Sequence, residues 1–331
     1  MQSPLSHGLR VQVERWPIAG SFAISRGVKT EAAVVVAELS DGTHTGRGEC
    51  VPYARYGETV EGVAAAIAGL RPALAGGLDR AALQRALPAG AARNALDCAF
   101  WDIEAKRAGR PAHVLAGLPP PRPLVTAYTI SLGDPGTMAR AAQRAAEHTL
   151  LKVKLGGKGD PARLAAVRRA LPNAVLIADA NEAWDAESLR DNLAACADAG
   201  VVLVEQPLPA GDDAALADIG HPIPICADES AHDRASLAGL SGKYDAVNVK
   251  LDKTGGLTEA LALATQAQAM GFKLMVGCMV STSLAIAPAI LVAQRADVVD
   301  LDGALLLARD RPHGLRYGES RVHPGEPALW G

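Results

Sequence analysis

Eight short β-branched runs recur along the last two thirds of the chain. They are "LVTAYTI" from residue 124, "LLKVKL" from 150, "AVLIADAN" from 174, "VVLVEQP" from 201, "IPICADES" from 223, "AVNVKLD" from 246, "KLMVGCM" from 273 and "ADVVDLDG" from 296. Their starts lie roughly 22 to 28 residues apart, the length of one strand plus a returning helix. Each gap has room for such a helix, so the pattern predicts an α/β fold with a (β/α) barrel. The rival, an open doubly wound sheet, is weakened because neither GxGxxG nor a P-loop follows any run. Ahead of the barrel, "LPPPRP" at 118–123 is a proline-rich joint. Before the joint, residues 9–50 alternate like antiparallel strands, with a hairpin turn signal at Asp41-Gly42. Residues 59–118 carry helical periodicity, clearest in "AARNALDCAFWDIEAKRAG", closed by Gly109 and Pro111. The expected organisation is an α+β N-terminal domain (1–118), the barrel (119–303) and a C-terminal segment (304–331) packing back on the first domain.

In a barrel of this kind the chemistry sits at the C-terminal ends of the strands. Charged side chains fall there repeatedly. Asp179 ends the third run, Glu205 the fourth, Asp228 the fifth and Lys250 the sixth, while Asp300 and Asp302 close the eighth. Lys152 and Lys154 lie inside the second run, "TLLKVKLGG", two apart and therefore on one face. Taken alone, two lysines on one face suit a solvated edge strand. Placed among the other runs they face carboxylates instead. Asp179, Glu205 and Asp228 come from successive strands and converge, which three anions tolerate only when a cation joins them. Oxygen-only ligands suit Mg²⁺ better than zinc or copper. Strands two and six are four apart in an eight-membered ring, so Lys154 and Lys250 would flank a ligand from opposite sides. Lys152 behind Lys154 would lower its pKa toward neutrality, as a general base requires. The set suits removal of a proton α to a carboxylate, with the metal and Lys152 stabilising the enediolate. A Schiff-base lysine is the competing role, but it leaves the carboxylates unexplained.

Composition narrows the rest. The chain of 331 residues is 49% hydrophobic and 21% charged, with a net charge of -3. That balance gives no electrostatic case for nucleic acid or an anionic membrane. Five scattered cysteines without CxxC spacing argue against a disulfide framework and a zinc site. "MQSPLSHGLRVQVERW" has no apolar signal core, and no apolar run reaches the ~18 residues of a membrane span. A cytoplasmic protein is expected.

Together "KVK", "DAN", "EQP", "ADES" and "VKLDKTGG" resemble, in order and spacing, the muconate-lactonizing-enzyme subgroup of the enolase superfamily. "ALDCAFWDIEAKRAGRPAHVLAG" is similar to the helix that leads into that family's barrel. The resemblance covers essentially the whole chain. It implies a modified TIM barrel, (β/α)₇β, under an α+β capping domain, with the site between them. It also implies Asp179, Glu205 and Asp228 as Mg²⁺ ligands, Lys154 and Lys250 as the acid/base pair, and Lys152 as support. Several reactions share this fold, and two features discriminate among them. Asp300 and Asp302 alternate onto one face and await a cation, for which an ammonium group is the natural candidate. A D-x-D there resembles the dipeptide epimerases, in which it holds the dipeptide's N-terminal ammonium. "FAISRGVKTEAAVVVAEL" and "GRGECVPYARYGET" are similar to the bacterial L-Ala-D/L-Glu epimerases. On that resemblance Arg26 would bind a substrate side-chain carboxylate, with Lys29, Arg55 and Tyr56 as alternatives. Met279 and Ser281 on the seventh-strand rim would line the pocket. Trp184 reads as packing and His232 as a polar helix residue. The partner implied is a small dipeptide of the L-Ala-D/L-Glu type, and a homo-oligomer is compatible with it. Other dipeptide epimerases, N-acylamino-acid racemases, o-succinylbenzoate synthases and cycloisomerases remain as alternatives. The histidine base usual on the seventh strand of the superfamily's dehydratases is missing from "VGCMVSTS".

Overall fold

The computed structural model describes residues 8–331; residues 1–7, part of the stretch read for a signal core, lie outside the described residues. Three antiparallel strands open the chain: β1 (Gly8–Ile24), β2 (Gly27–Ser40) and β3 (Thr45–Cys50), paired in that order. The Asp41-Gly42 signal does form the β2–β3 turn, where Asp41 Oδ1 accepts Thr43 N at 2.9 Å and His44 N at 2.7 Å. β1 is longer than its alternating run suggests. Pairing with β2 lapses between Pro17 and Phe22, where Pro17 lacks a donor and Gly20 adopts φ 85°. It then resumes, Phe22–Ile24 against Gly27–Lys29, so Ser25-Arg26 is a tight hairpin tip. β2 is buried on both faces, Val35, Ala37 and Leu39 toward the domain's own helices and Val34 and Val36 toward the barrel. That double burial explains the unbroken apolar run "AAVVVA".

Five helices follow: α1 (Val60–Gly69), α2 (Arg71–Ala75), α3 (Arg80–Ala86), α4 (Ala91–Ala108) and α5 (Ala112–Leu115). α4 ends at Gly109, whose φ of 59° suits a residue without Cβ. It lies directly against β3, and glycine permits the approach. A Cβ on Gly48 would stand 2.1 Å from the Ala95 carbonyl, and one on Gly46 2.3 Å from that of Ala99. Both partners are backbone and cannot swing aside. Gly48→Ala should therefore cost at least the ~1–3 kcal/mol typical of overpacking. Denaturant melts of the variant and the wild type check this, and an unchanged midpoint would contradict the close approach.

Beyond the joint, β4 (Leu124–Val125) leaves the barrel and pairs with β14 (Arg321–Val322), itself paired to β13 (Tyr317–Gly318). The first run therefore splits, and only its second half enters the barrel. The eight barrel strands run parallel in sequence order: β5 (Tyr128–Ile130), β6 (Leu150–Lys154), β7 (Val175–Asp179), β8 (Val201–Glu205), β9 (Ile225–Ala227), β10 (Ala246–Val249), β11 (Lys273–Gly277) and β12 (Val298–Asp300). A backbone bond from Ala127 N to Val299 O, 2.9 Å, links the first and last strands. α6 (Pro135–Arg144), α7 (Asp160–Ala170), α8 (Leu189–Asp198), α9 (Leu251–Thr254), α10 (Leu257–Ala269) and α11 (Ser283–Ala293) fill five of the gaps. The gaps after β8 and β9 hold only short 3₁₀ turns, Ala214–Asp218 and Arg234–Gly239. Prolines 207, 209, 222 and 224 exclude a long helix from the first of these.

Alternation sorts each barrel strand. Leu151 and Val153 of β6 face the helices. Leu150 faces inward over a plug of Ala127, Ile177, Leu203, Cys226, Ala246 and Met275. Lys152 and Lys154 continue the inward row toward the mouth. The chain's end crosses to the N-terminal domain, where Trp330 Nε1 donates to Cys98 O at 2.9 Å and Gly331 N to Asp102 Oδ1 at 2.8 Å. Among the described residues no helix is long and apolar enough to cross a membrane.

Candidate active site

Register places the polar side chains side by side, with Lys154 opposite Asp179 and Asp179 opposite Glu205. Lys152 Nζ lies 3.0 Å from Asp179, 2.7 Å from Glu205 and 2.7 Å from Asp300. Lys154 Nζ donates to Asp179 Oδ2 at 2.6 Å, and Lys250 Nζ, on the opposite side of the ring, to Asp228 Oδ2 at 2.7 Å. All of these side chains are buried. Two further residues complete the set. Asn248 Nδ2 donates to Glu205 Oε1 at 2.7 Å, and Lys253 Nζ bonds Asp228 Oδ1 at 2.6 Å and Asn248 O at 2.9 Å. Alternation in "VNVK" puts Asn248 on the face of Lys250, so that residue was legible. Lys253 lies past the strand in α9, where no strand period applies.

Direct carboxylate contact governs the electrostatics of the buried lysines at Lys250 and Lys152. Burial and Lys152 both lower the Lys250 pKa, but Asp228 and Glu205 outweigh them and raise it well above the ordinary lysine value. Lys152 is raised likewise, since Asp179, Asp300 and Glu205 together overcome its burial. Like-charge repulsion is present, yet direct carboxylate contact dominates it. Among the carboxylates, burial is opposed by Lys152 and Lys154 at Asp179, which is held low. Burial prevails at Glu205, reinforced by Asp179 and Asp228, and its pKa is raised.

Whether these residues suit a metal follows from the same contacts. Among the described residues no three acidic, histidine or cysteine side chains are grouped to hold an ion as they stand. Ammonium groups lie between the carboxylates instead. Yet Asn181 Oδ1 and Glu229 Oε2 are buried without a hydrogen-bond partner, and Glu205 Oε2 meets only the Lys152 ammonium, 2.7 Å away. An oxygen-only set in which one carboxylate is poorly neutralised fits a hard divalent cation.

Above this layer lies a cavity of about 790 Å³ between barrel and hairpin, lined by Lys152, Lys154, Lys250, Asp300, Asp302 and Met279 among others. Asp300 Oδ1 is unpartnered. Asp302 Oδ2 accepts Thr129 N at 2.7 Å, and its pKa is raised by burial and by Asp300. Ser281 does not reach the cavity. It is buried and its hydroxyl turns to Met279 O at 3.1 Å, since the strand has ended and the chain is entering the cap of α11. Arg26 lies at the hairpin tip, bonded to Asn181 O, Glu182, Tyr53 and Glu229. Arg55 forks onto Glu182. Lys29 and Tyr56 line the cavity, and Tyr56 packs edge-on against His232 at 4.7 Å. Trp184 is a packing residue whose Nε1 donates to Asp160 Oδ2 at 2.8 Å. Glu182 and Glu229, which hold the tip, were not singled out in the sequence; Glu229 adjoins Asp228 and could have been.

Comparisons with known proteins bear on this arrangement. Residues 6–117 match the mandelate racemase / muconate lactonizing enzyme N-terminal domain, and residues 137–317 the enolase C-terminal domain-like family. The L-Ala-D/L-Glu epimerase of Escherichia coli is 50% identical over 95% of this chain and 99% of its own length. The N-acetyl-D-glutamate racemase of a Pseudoalteromonas species is 44% identical over 90% and 95%. A solved enolase family member from Agrobacterium tumefaciens, with homology to dipeptide epimerases and with sodium and L-Ala-L-Glu bound, is 54% identical. It superposes with a TM-score of 0.96 over 98% of this chain and 100% of that one. Other solved dipeptide epimerases of this fold hold Mg and a dipeptide.

Proposed function

This chain belongs to the enolase superfamily, in its mandelate racemase / muconate lactonizing enzyme group, and on that premise we propose that it epimerises dipeptides at the C-terminal residue. L-Ala-D/L-Glu is the foremost substrate, which gives the protein a place in murein peptide recycling. The observation that carries the reading is the pair of buried ammonium groups, Lys154 and Lys250, on opposite sides of a carboxylate-lined mouth. One lysine removes the α-proton, and the other returns a proton to the opposite face, inverting that carbon alone. Asp179, Glu205 and Asp228 would hold Mg²⁺. The ion, when bound, would supply positive charge for a developing enolate. Lys152 adds fixed positive charge beside the substrate carboxylate. Asp300 and Asp302 receive the N-terminal ammonium.

A second reading, racemisation of an N-acylglutamate, draws on the Pseudoalteromonas relative. The two share a glutamyl reacting centre and differ at nitrogen. The unpartnered Asp300 Oδ1 beside Asp302 favours the free ammonium. The test is turnover of L-Ala-L-Glu against N-acetyl-L-glutamate, followed by polarimetry. The dipeptide should be preferred, and chelation should lower its turnover at least ~10²–10³-fold until Mg²⁺ is restored. Equal turnover of both compounds would remove the ammonium site, and full activity in chelator would remove the metal.

A further inference from the structure

The two lysines proposed as acid and base are anchored from different parts of the molecule. Lys250 follows β10 and caps α9, so its aim depends on how residues 251–256 are held. The N-terminal domain holds them. Asp252 Oδ1 accepts Val51 N, just past β3, at 2.9 Å and Asn94 Nδ2 of α4 at 2.8 Å. Arg93, also of α4, donates to Thr254 O at 2.6 Å and to Gly255 O at 3.2 Å. Gly256 lets α4 come this near, since a Cβ there would stand 2.5 Å from that of Asp97. Asp252 and Asn94 are both buried. The backbone beyond Lys154 is tied to the barrel instead. Leu155 N donates to Asp179 O at 2.8 Å, and Gly157 N to the buried Asp160 carboxylate at 2.7 Å.

We propose that Asp252 is a positioning residue through which the N-terminal domain aims Lys250 and leaves Lys154 unaffected. This role rests on the epimerase reading and deepens it, because it ties a domain contact to one of the two bases. Asp252 is absent from the cavity lining and acts through the backbone it shares with Lys250. Its loss takes the acceptor from the buried Val51 amide and frees the start of α9 from the N-terminal domain. A displacement of ~1 Å at a reacting group costs up to about 10²-fold in rate.

The experiment places Asp252→Ala, Asp252→Asn and Asn94→Leu separately in two parent proteins. In Lys154→Ala the remaining base is Lys250, and in Lys250→Ala it is Lys154. Each protein receives the L-Ala-Glu epimer that its parent exchanges, at saturating concentration with Mg²⁺, and proton NMR in D₂O follows loss of the α-hydrogen. With Lys250 as the base, Asp252→Ala should slow exchange about 10- to 100-fold and Asn94→Leu about 3- to 10-fold. Asp252→Asn keeps an oxygen for the Val51 amide and should return exchange to within about threefold of its parent. With Lys154 as the base, every variant should stay within about twofold of its parent. Equal slowing in both parents, the mark of general loosening, overturns the assignment, as does unchanged exchange with Lys250 as the base. Parents that exchange neither epimer refute the epimerase reading itself, a result visible before any Asp252 variant is made.

Discussion

Replacing either Lys154 or Lys250 by alanine should abolish epimerisation, while each single variant still exchanges the α-hydrogen of one epimer with D₂O. The expectation follows from where the two strands stand. β6 and β10 are four apart in the ring of eight, so the two ammonium groups approach a substrate from opposite faces. Inversion needs proton removal on one face and delivery on the other. Exchange with retention needs only one base. A positioned base is worth about 10²–10⁴-fold, so epimerisation should fall by about 10³-fold or more in either variant. The two variants should exchange opposite epimers, one L and one D. Proton NMR in D₂O follows both processes in the same tube. Epimerisation surviving in a single variant would show that the two lysines do not divide the work. Exchange of both epimers by one variant would place both protons on one side. The Lys154→Ala, Lys250→Ala double variant should do neither.

Most of the site was legible because strand alternation is a strong rule and the charges obey it. "KVK" and "VNVK" each put two polar side chains on one face, and the barrel turns that face inward. What alternation does not contain is which ammonium meets which carboxylate. A lysine chain spans several ångströms, and Lys250 sits 2.7 Å from Asp228 but 4.0 Å from Glu205. Asp228 and Glu205 together raise the Lys250 pKa, and strand alternation holds nothing about either contact. Ser281 illustrates a second boundary. Once a strand ends, position no longer implies side, and its hydroxyl turns into the polypeptide. The hairpin tip was hidden for a third reason. Pro17 and Gly20 interrupt the β1–β2 ladder, yet pairing resumes beyond them, which alternation alone does not foretell.

Lys152→Met should be the most destabilising single change at the site, and its cost should depend on pH. The Lys152 ammonium is buried and shared among Asp179, Glu205 and Asp300. Methionine nearly matches its length and brings no charge, leaving three buried carboxylates to compete for Lys154 and Lys250. Removing one partner from a buried ionic group costs about 3–5 kcal/mol, which for a chain of 331 residues corresponds to a Tm lower by roughly 4–7 °C. The pH dependence follows from linkage. Without Lys152 the folded-state pKa values of Asp179 and Glu205 both rise, and that of Glu205 already lies above its unfolded value. A carboxyl raised in this way imposes no penalty below its unfolded pKa, near 4. The penalty grows as pH climbs toward the folded pKa, because the folded state must then hold an unpaired charge or an extra proton. Glu205 already has a raised pKa with Lys152 present, so this growth should extend into the neutral range. In metal-free buffer the Tm gap between wild type and variant should thus be wider at pH 8 than at pH 5. Thermal melts at the two pH values decide the matter. Equal gaps would mean that the loss comes from packing around a methionine rather than from buried charge.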